Sequence, residues 1–256
     1  MEVGFVQFNP VLGDVDGNIQ KASHLLSGVD ADLIVLPELF NTGYAFRGRD
    51  DVERVAEEVP DGETTKALIS LSKRKDVCIV AGLAEKDGGK LYNSAIVVDK
   101  KFVGAYRKVH LYATEKKFFA RGDEFKVFPV RGIKLGVMIC FDWYFPESMR
   151  TLALAGAELI AHPANLVMPY CPDAMVTRCL ENRVWAVTAD RIGREEKLSF
   201  IGRSQVTSPK GEVVYRASAD KEEVKVFAID ISLARDKNLN PYNHIFEDRK
   251  TSAYKL

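Results

Sequence analysis

Residues 134–150 read KLGVMICFDWYFPESMR, and the fold turns on how this stretch is read. Leu135 to Ile139 is a short apolar run and reads as a buried strand. Cys140 stands directly at its end. Pro146 and Glu147 read as the first turn of a helix: proline has no N–H to lose there, and an acid suits the positive helix end. A thiol at a strand-to-helix turn is well placed for a nucleophile, since backbone N–H groups point outward there and the helix end favours thiolate. Taken alone, the segment equally fits a small buried hydrophobe, the commoner state of a free cysteine.

Working outward, residues 126–130 pair with the strand before Cys140 as a hairpin around Gly132. Residues 77–84, 91–98 and 102–107 read as strands, and Asp87-Gly88-Gly89 and Asp99-Lys100-Lys101 join them as hairpins. Further upstream, residues 3–8 alternate as a strand and residues 33–36 are a run buried on both faces that ends in Pro37-Glu38. Helices are predicted over 18–26, closed by Gly28, and over 64–75, with Ala67, Leu68 and Leu71 on one face. Downstream, helices are predicted over 146–155 and over 173–182, the second capped by Asp173. Strands follow at 158–161, 186–189, 202–208, 212–216 and 224–231, and residues 112–125 form a polar, aromatic-rich loop. This mixture of crossovers and hairpins, about ten or more strands with about four helices, predicts two packed sheets with helices outside. The expectation is one layered α/β domain over residues 1–256.

The composition narrows the partners. Among 256 residues, 36 Lys and Arg balance 36 Asp and Glu, which removes the chain-wide charge argument for nucleic acid or an anionic membrane. Four cysteines, Cys78, Cys140, Cys171 and Cys179, are too few and scattered for a disulfide framework. MEVGFVQFNP lacks the basic start and long apolar run of a signal peptide, and no segment suits a bilayer span. A cytoplasmic protein with reduced thiols is expected.

Three polar residues end apolar strands. Glu38 follows Ile34-Val35-Leu36-Pro37; desolvation there would raise its pKa toward the range of a general base. Lys108, in YRKVHL, is a cation able to stabilise an oxyanion. Cys140 is the third. In crossover sheets, sites gather beyond the carboxyl ends of strands, so the shared placement weighs more than any one residue. Glu115, in the loop TEKKFF, is by itself only a charged loop residue.

These residues resemble the signature of the nitrilase superfamily of carbon–nitrogen hydrolases: Glu, Lys and Cys in three separated motifs. The motifs stand here as LPELFNTGY, YRKVHL and GVMICFDWYFPE, and the resemblance continues through RTLALAGAELIAHPANL and ENRVWAVTADRIG over essentially the whole chain. The resemblance implies a four-layer αββα sandwich that pairs into dimers, and chemistry needing no metal or organic cofactor. It implies Glu38 as base, Cys140 as nucleophile attacking an amide or nitrile carbon, and Lys108 with the Phe141 N–H holding the negative charge. Glu115 matches the family's second glutamate, which positions substrate and Lys108, and Asn165 is assigned with Phe141 to substrate contacts. Two departures from close relatives are Ala120-Arg121 after Phe118-Phe119, near the expected pocket mouth, and Asp190 where many carry Asn.

Asp142 after the cysteine resembles the amidase and carbamoylase branches rather than plant-type nitrilases. Trp143, Tyr144, Tyr44 and Phe118 are expected to bound a neutral pocket suited to a small uncharged aliphatic amide, with nitriles or N-carbamoyl amides as alternatives. Rival readings are a Cys–His enzyme using His110 as base, a zinc site from His162, Cys171 and Cys179, and a binding protein on a retired enzyme fold. A homodimer is expected across the helices at 146–155 and 173–182, with the tail at 238–256, bearing Tyr242, Phe246 and Tyr254, packing on the partner subunit.

Overall fold

Strands that are apolar at every position sort their side chains alternately to two faces, so each can serve two cores. The computed structural model describes residues 1–255; Leu256, the last residue of the expected tail, lies outside the described residues. In chain order the elements are β1 (Glu2–Gln7), α1 (Val15–Leu25), β2 (Leu33–Val35), α2 (Arg49–Val55), α3 (Glu63–Lys75), β3 (Cys78–Asp87), β4 (Lys90–Asp99) and β5 (Phe102–Arg107). There follow β6 (Val127–Val130), β7 (Ile133–Val137), α4 (Pro146–Leu154), β8 (Leu159–Pro163), α5 (Cys171–Asn182), β9 (Trp185–Ala189), β10 (Arg194–Glu195) and β11 (Leu198–Ser199). The chain closes with β12 (Gln205–Thr207), β13 (Val213–Arg216), β14 (Glu223–Ala228), β15 (Asn238–Asn240) and β16 (Asn243–His244).

Two six-stranded sheets carry the fold, in the orders β14-β1-β2-β3-β4-β5 and β13-β12-β9-β8-β7-β6. Each is built on three parallel strands, β1-β2-β3 and β7-β8-β9, with antiparallel strands on the flanks. Val3, Phe5, Leu33, Val35, Cys78 and Val80 of the first sheet share a core with Leu135, Val137, Leu159 and Ala161 of the second. The intervening residues Val6, Ile34, Ile79 and Ala81 face the other way, onto Ala22 of α1 and Leu68 and Leu71 of α3. On the far side of the second sheet, Met149 and Leu152 of α4 and Met175 and Cys179 of α5 close the layer. The order is helix, sheet, sheet, helix, the four-layer αββα sandwich expected from the sequence. Period-two sorting explains it: strands apolar on both faces must be covered on both, and each buried aliphatic side chain is worth about 1.5–3 kcal/mol.

The differences are local. Helix α2, in RDDVERV, was not expected: Val52 is its one buried residue, so the apolar periodicity that marks a helix is missing. Its support is polar, including an Arg49–Glu53 pair at 2.6 Å. Helix α5 begins at Cys171 with Pro172 in its first turn. Asp173 therefore does not cap it and instead bonds Arg216 at 2.7 Å. The strand before Cys140 stops at Val137, because Cys140–Tyr144 form a 3-10 turn whose Asp142 carboxylate accepts the Ile139 N–H at 2.9 Å. The loop at 112–125 holds another 3-10 turn, Ala113–Lys117. No helix among the described residues is long and apolar enough to cross a membrane.

Candidate active site

Glu38 lies just beyond β2 and Lys108 directly after β5, both fully buried. β5 is antiparallel to β4 and β4 to β3, so β2, β3 and β5 run the same way and their carboxyl ends share one side. Gly82 of β3 lets the Glu38 segment settle on the sheet: a Cβ there would stand 2.5 Å from the Glu38 Cα. Lys108 Nζ donates to Glu38 Oε1 at 2.6 Å and to Glu115 Oε1 at 2.9 Å. Asn93 Nδ2 also donates to Glu38 Oε1, at 2.7 Å, and Tyr44 Oη to Glu115 Oε1, at 2.6 Å. Glu38 Oε2 is buried without a hydrogen-bond partner.

The charges set the protonation pattern. Burial raises the Glu38 carboxyl above the ordinary value, and the attraction of Lys108 only partly offsets it. Burial opposes charge on Lys108 as well, but Glu115, Glu38 and Cys140 together outweigh it and raise the ammonium pKa, so it stays a cation. Cys140 is pushed well above the usual thiol value, by burial first and Glu38 second, against the pull of Lys108. The resting group is therefore a thiol. The sequence led to the opposite expectation, a helix end favouring thiolate; α4 starts only at Pro146, and desolvation dominates at Cys140. A thiol so held needs a base, and Glu38 carries the unoccupied carboxylate oxygen.

Cys140 adopts φ +39°, in the left-handed region that a residue with a Cβ avoids. Three neighbours hold it there. Its Sγ lies 3.7 Å from the Asn165 carbonyl oxygen. Its own carbonyl is 3.0 Å from His162 Nε2. Asp142, fully buried, staples the turn across the sandwich: Oδ2 accepts from Tyr106 Oη at 2.7 Å, and Oδ1 lies 2.8 Å from His110 Nδ1 and accepts the His110 N–H at 3.1 Å.

A small cleft opens at Cys140, lined by Tyr112, Phe141, Trp143, Asn165, Leu166, Val167 and Met168. The structure thus brings Glu38, Lys108, Glu115 and Tyr44 into one hydrogen-bonded cluster and puts Phe141, Trp143 and Asn165 around Cys140. Both polar side-chain atoms of Asn165 are buried without partners. Tyr144 does not join them: it is 54 % exposed, because it ends the 3-10 turn on its outer side. Phe118 packs with Leu39, Phe119 and Phe46 in a separate cluster, behind the Glu115 turn. Asp142, read from the sequence as a clue to substrate, is used structurally and does not line the cavity. Arg121 is exposed and off the lining, so the departure at Ala120-Arg121 does not reach Cys140. Asp190 accepts the Leu166 N–H at 2.8 Å, and burial raises its carboxyl well above the ordinary value.

Several site residues were missed in the sequence. Asn93 was hidden in an apolar strand, where the polar pair Asn93-Ser94 between Leu91-Tyr92 and Ala95-Ile96 was the available signal. Tyr112, Val167 and Met168 come from loops with no motif of their own, and Leu166 ends the stretch RTLALAGAELIAHPANL without having been singled out. Glu195 accepts the N–H groups of Tyr44 and Ala45, each at 2.8 Å, and so fixes the loop that presents the Tyr44 hydroxyl; it pairs in turn with buried Arg191. His110 is committed to Asp142 and stacks on Phe145, with ring centres 3.7 Å apart. His162 is engaged by Cys140 and Thr188, and among the described residues no three His, Cys, Asp or Glu side chains are grouped to hold a metal.

Two parallel-cored sheets with a buried acid, amine and thiol at one end define a hydrolase-like architecture, and sequence comparison says which. A family model for carbon-nitrogen hydrolases matches residues 2–238, and the chain belongs to that family, within the nitrilase superfamily. It is 54 % identical over 259 residues to a nitrilase of Pyrococcus abyssi (strain GE5 / Orsay), covering 99 % of each chain. It is 31 % identical to an (R)-stereoselective amidase of a Pseudomonas species, over 93 % of this chain and 92 % of that protein. The crystal structure of a carbon-nitrogen hydrolase from Helicobacter pylori G27 superposes with a TM-score of 0.90 at 25 % identity, over 99 % of this chain and 97 % of that one.

Proposed function

We propose that this carbon–nitrogen hydrolase cleaves small, uncharged aliphatic amides through a thioester on Cys140. The observation that carries the reading is the buried Glu38–Lys108–Glu115 cluster facing a thiol, with Glu38 Oε2 left free to take a proton. Glu38 accepts the Cys140 proton as Sγ attacks the carbonyl carbon. Lys108 and the Phe141 N–H hold the oxyanion. The tetrahedral intermediate collapses, Glu38 passes its proton to the leaving nitrogen, and ammonia departs. Water then gives a proton to Glu38 and attacks the thioester, and the carboxylic acid leaves as the thiol is restored. A nitrile would pass first through a thioimidate, whose hydrolysis releases ammonia and gives the same thioester.

The lining supports this substrate class. Among the described residues no charged side chain lines the cleft at Cys140, and its walls are mainly apolar, with Asn165 the one amide among them. That favours small neutral substrates over carbamoyl amino acids, whose carboxylate would need a cation. Aliphatic nitriles are the second reading, supported by the similarity to the Pyrococcus abyssi nitrilase. Ammonia release from a panel of neutral amides, aliphatic nitriles and N-carbamoyl compounds tests it. Turnover of neutral amides is expected, abolished in Cys140→Ala; activity confined to carbamoyl amino acids would overturn the neutral-pocket reading.

The working form proposed is a homodimer across α4 and α5, where Leu154, Tyr170 and Leu180 are large, exposed and uncovered. The tail is proposed to contribute through Tyr242 and Tyr254, both exposed. Phe246 packs instead on its own subunit, beneath Arg150 and Lys237 at 5.3 and 5.4 Å. All four cysteines are free, which supports a reducing, cytoplasmic setting.

A further inference from the structure

One buried titratable side chain touches the Cys140 elbow directly and takes no part in the steps above. His162 lies in β8 and is fully buried. Its Nε2 is 3.0 Å from the Cys140 carbonyl oxygen, and its Nδ1 is 3.0 Å from Thr188 Oγ1 on β9. A carbonyl only accepts, so Nε2 carries the proton; in the neutral ring Nδ1 is then the acceptor of the Thr188 hydroxyl. Burial pushes the imidazole down to about 4, so this single tautomer persists at neutral pH.

The bond matters because of what lies across it. The Cys140 carbonyl and the Phe141 N–H belong to one peptide unit. That unit is planar and trans, so its C=O and N–H point in opposite directions. Whatever fixes the carbonyl on one side fixes the direction of the N–H on the other. Phe141 is the second residue of the 3-10 turn, where an N–H has no acceptor within the turn and is open to a ligand. A donor on the carbonyl also polarises the peptide and makes its N–H a stronger donor.

We propose that His162 is a positioning residue that aims the Phe141 N–H at the reaction's oxyanion by gripping the Cys140 carbonyl, with Thr188 holding the ring in the required tautomer. The inference rests on the reading of Cys140 as nucleophile. It makes the oxyanion hole of this chain a three-residue relay, Thr188 to His162 to the Cys140–Phe141 peptide. The strained φ of Cys140 belongs to the same arrangement, in which its carbonyl meets His162 of β8.

The test compares His162→Ala, His162→Gln and Thr188→Val with the parent protein in two assays. One is steady-state hydrolysis of whichever panel substrate is turned over. The other is the rate at which methyl methanethiosulfonate caps Cys140, read by intact mass; sulfur displacement there builds no oxyanion on carbon. For His162→Ala, kcat should fall about 10²-fold, with KM and the capping rate unchanged. His162→Gln, whose amide N–H can reach where Nε2 does, should recover most of kcat, and Thr188→Val should lie between. A capping rate that falls in step with kcat would overturn the proposal, since His162 would then serve only packing at Cys140. So would unchanged kcat in His162→Ala. Where His162→Ala does not fold, Gln and Val variants decide: Thr188→Val with unimpaired kcat, or His162→Gln with no recovery above background, refutes the grip. Hydrolysis surviving in Cys140→Ala would instead sink the nucleophile reading on which the proposal stands.

Discussion

At the scale of residues, Glu38 is where burial and chemistry meet. A carboxylate buried beside one lysine and a second carboxylate is held above its ordinary value, because desolvation outweighs the ion pair. The sign of the pH dependence follows. The base proposed here works ionised, so activity should be lost as pH falls through the raised Glu38 value; the acid limb of kcat/KM should lie above 4.5, the ordinary glutamate figure. The same shift means that the folded state holds this proton more tightly than the unfolded chain. Stability from this group is therefore complete below 4.5 and declines as pH rises toward the folded value. Glu38→Gln should abolish hydrolysis and remove that decline, which pH-rate profiles and thermal midpoints across the acid range would check. The Glu38 placement was legible in its local run of apolar residues. The partner Asn93 was not, because its bond to Glu38 crosses 55 positions of chain.

At the scale of elements, the strand ends position the site and the turns aim it. β3 is the floor under the Glu38 segment: Gly82 accepts the Phe40 N–H at 3.0 Å and donates to the Pro37 carbonyl at 3.1 Å. An added methyl would meet the Glu38 Cα at 2.5 Å and the Leu39 nitrogen at 2.7 Å, both backbone atoms that have nowhere to retreat. Gly82→Ala should therefore cost about 1–3 kcal/mol of stability and lower kcat more than about tenfold, since Glu38 would be displaced from Lys108. Denaturant midpoints and steady-state kinetics on one preparation would show it; wild-type kinetics would mean that the segment has slack. Most strands were readable because apolar runs between turn signals are local information. Helix α2 and the 3-10 turns were not, since charged or short segments take their shape from hydrogen bonds made elsewhere.

At the scale of the whole molecule, the sandwich leaves one helical layer without a cover. α4 and α5 present Leu154, Tyr170 and Leu180 to solvent, while α1 and α3 cover the first sheet with far fewer such residues. Leu180→Asp should leave the isolated chain folded, as the site is exposed, yet shift sedimentation from dimer toward monomer. A parent protein that already sediments as a monomer would overturn the proposed dimer.

What lies within reach of a few residues was settled by the amino-acid order alone. Apolar runs specify strands, their two-faced character demands a cover on each side, and hence a layered α/β sandwich follows. Glu38, Lys108 and Cys140 each declare themselves at a strand end. What only the tertiary structure decided is non-local. Lys108 meets Glu38 across 70 residues, His162 grips Cys140 across 22, and Asp142 bonds Tyr106 across 36. The left-handed Cys140, the outward Tyr144 and the remote Phe118 are of the same kind. A side chain's local period says which face of a strand it occupies. Which polar partner it finds there depends on how two sheets, folded from distant segments, come together, and on the requirement that buried polar groups be satisfied.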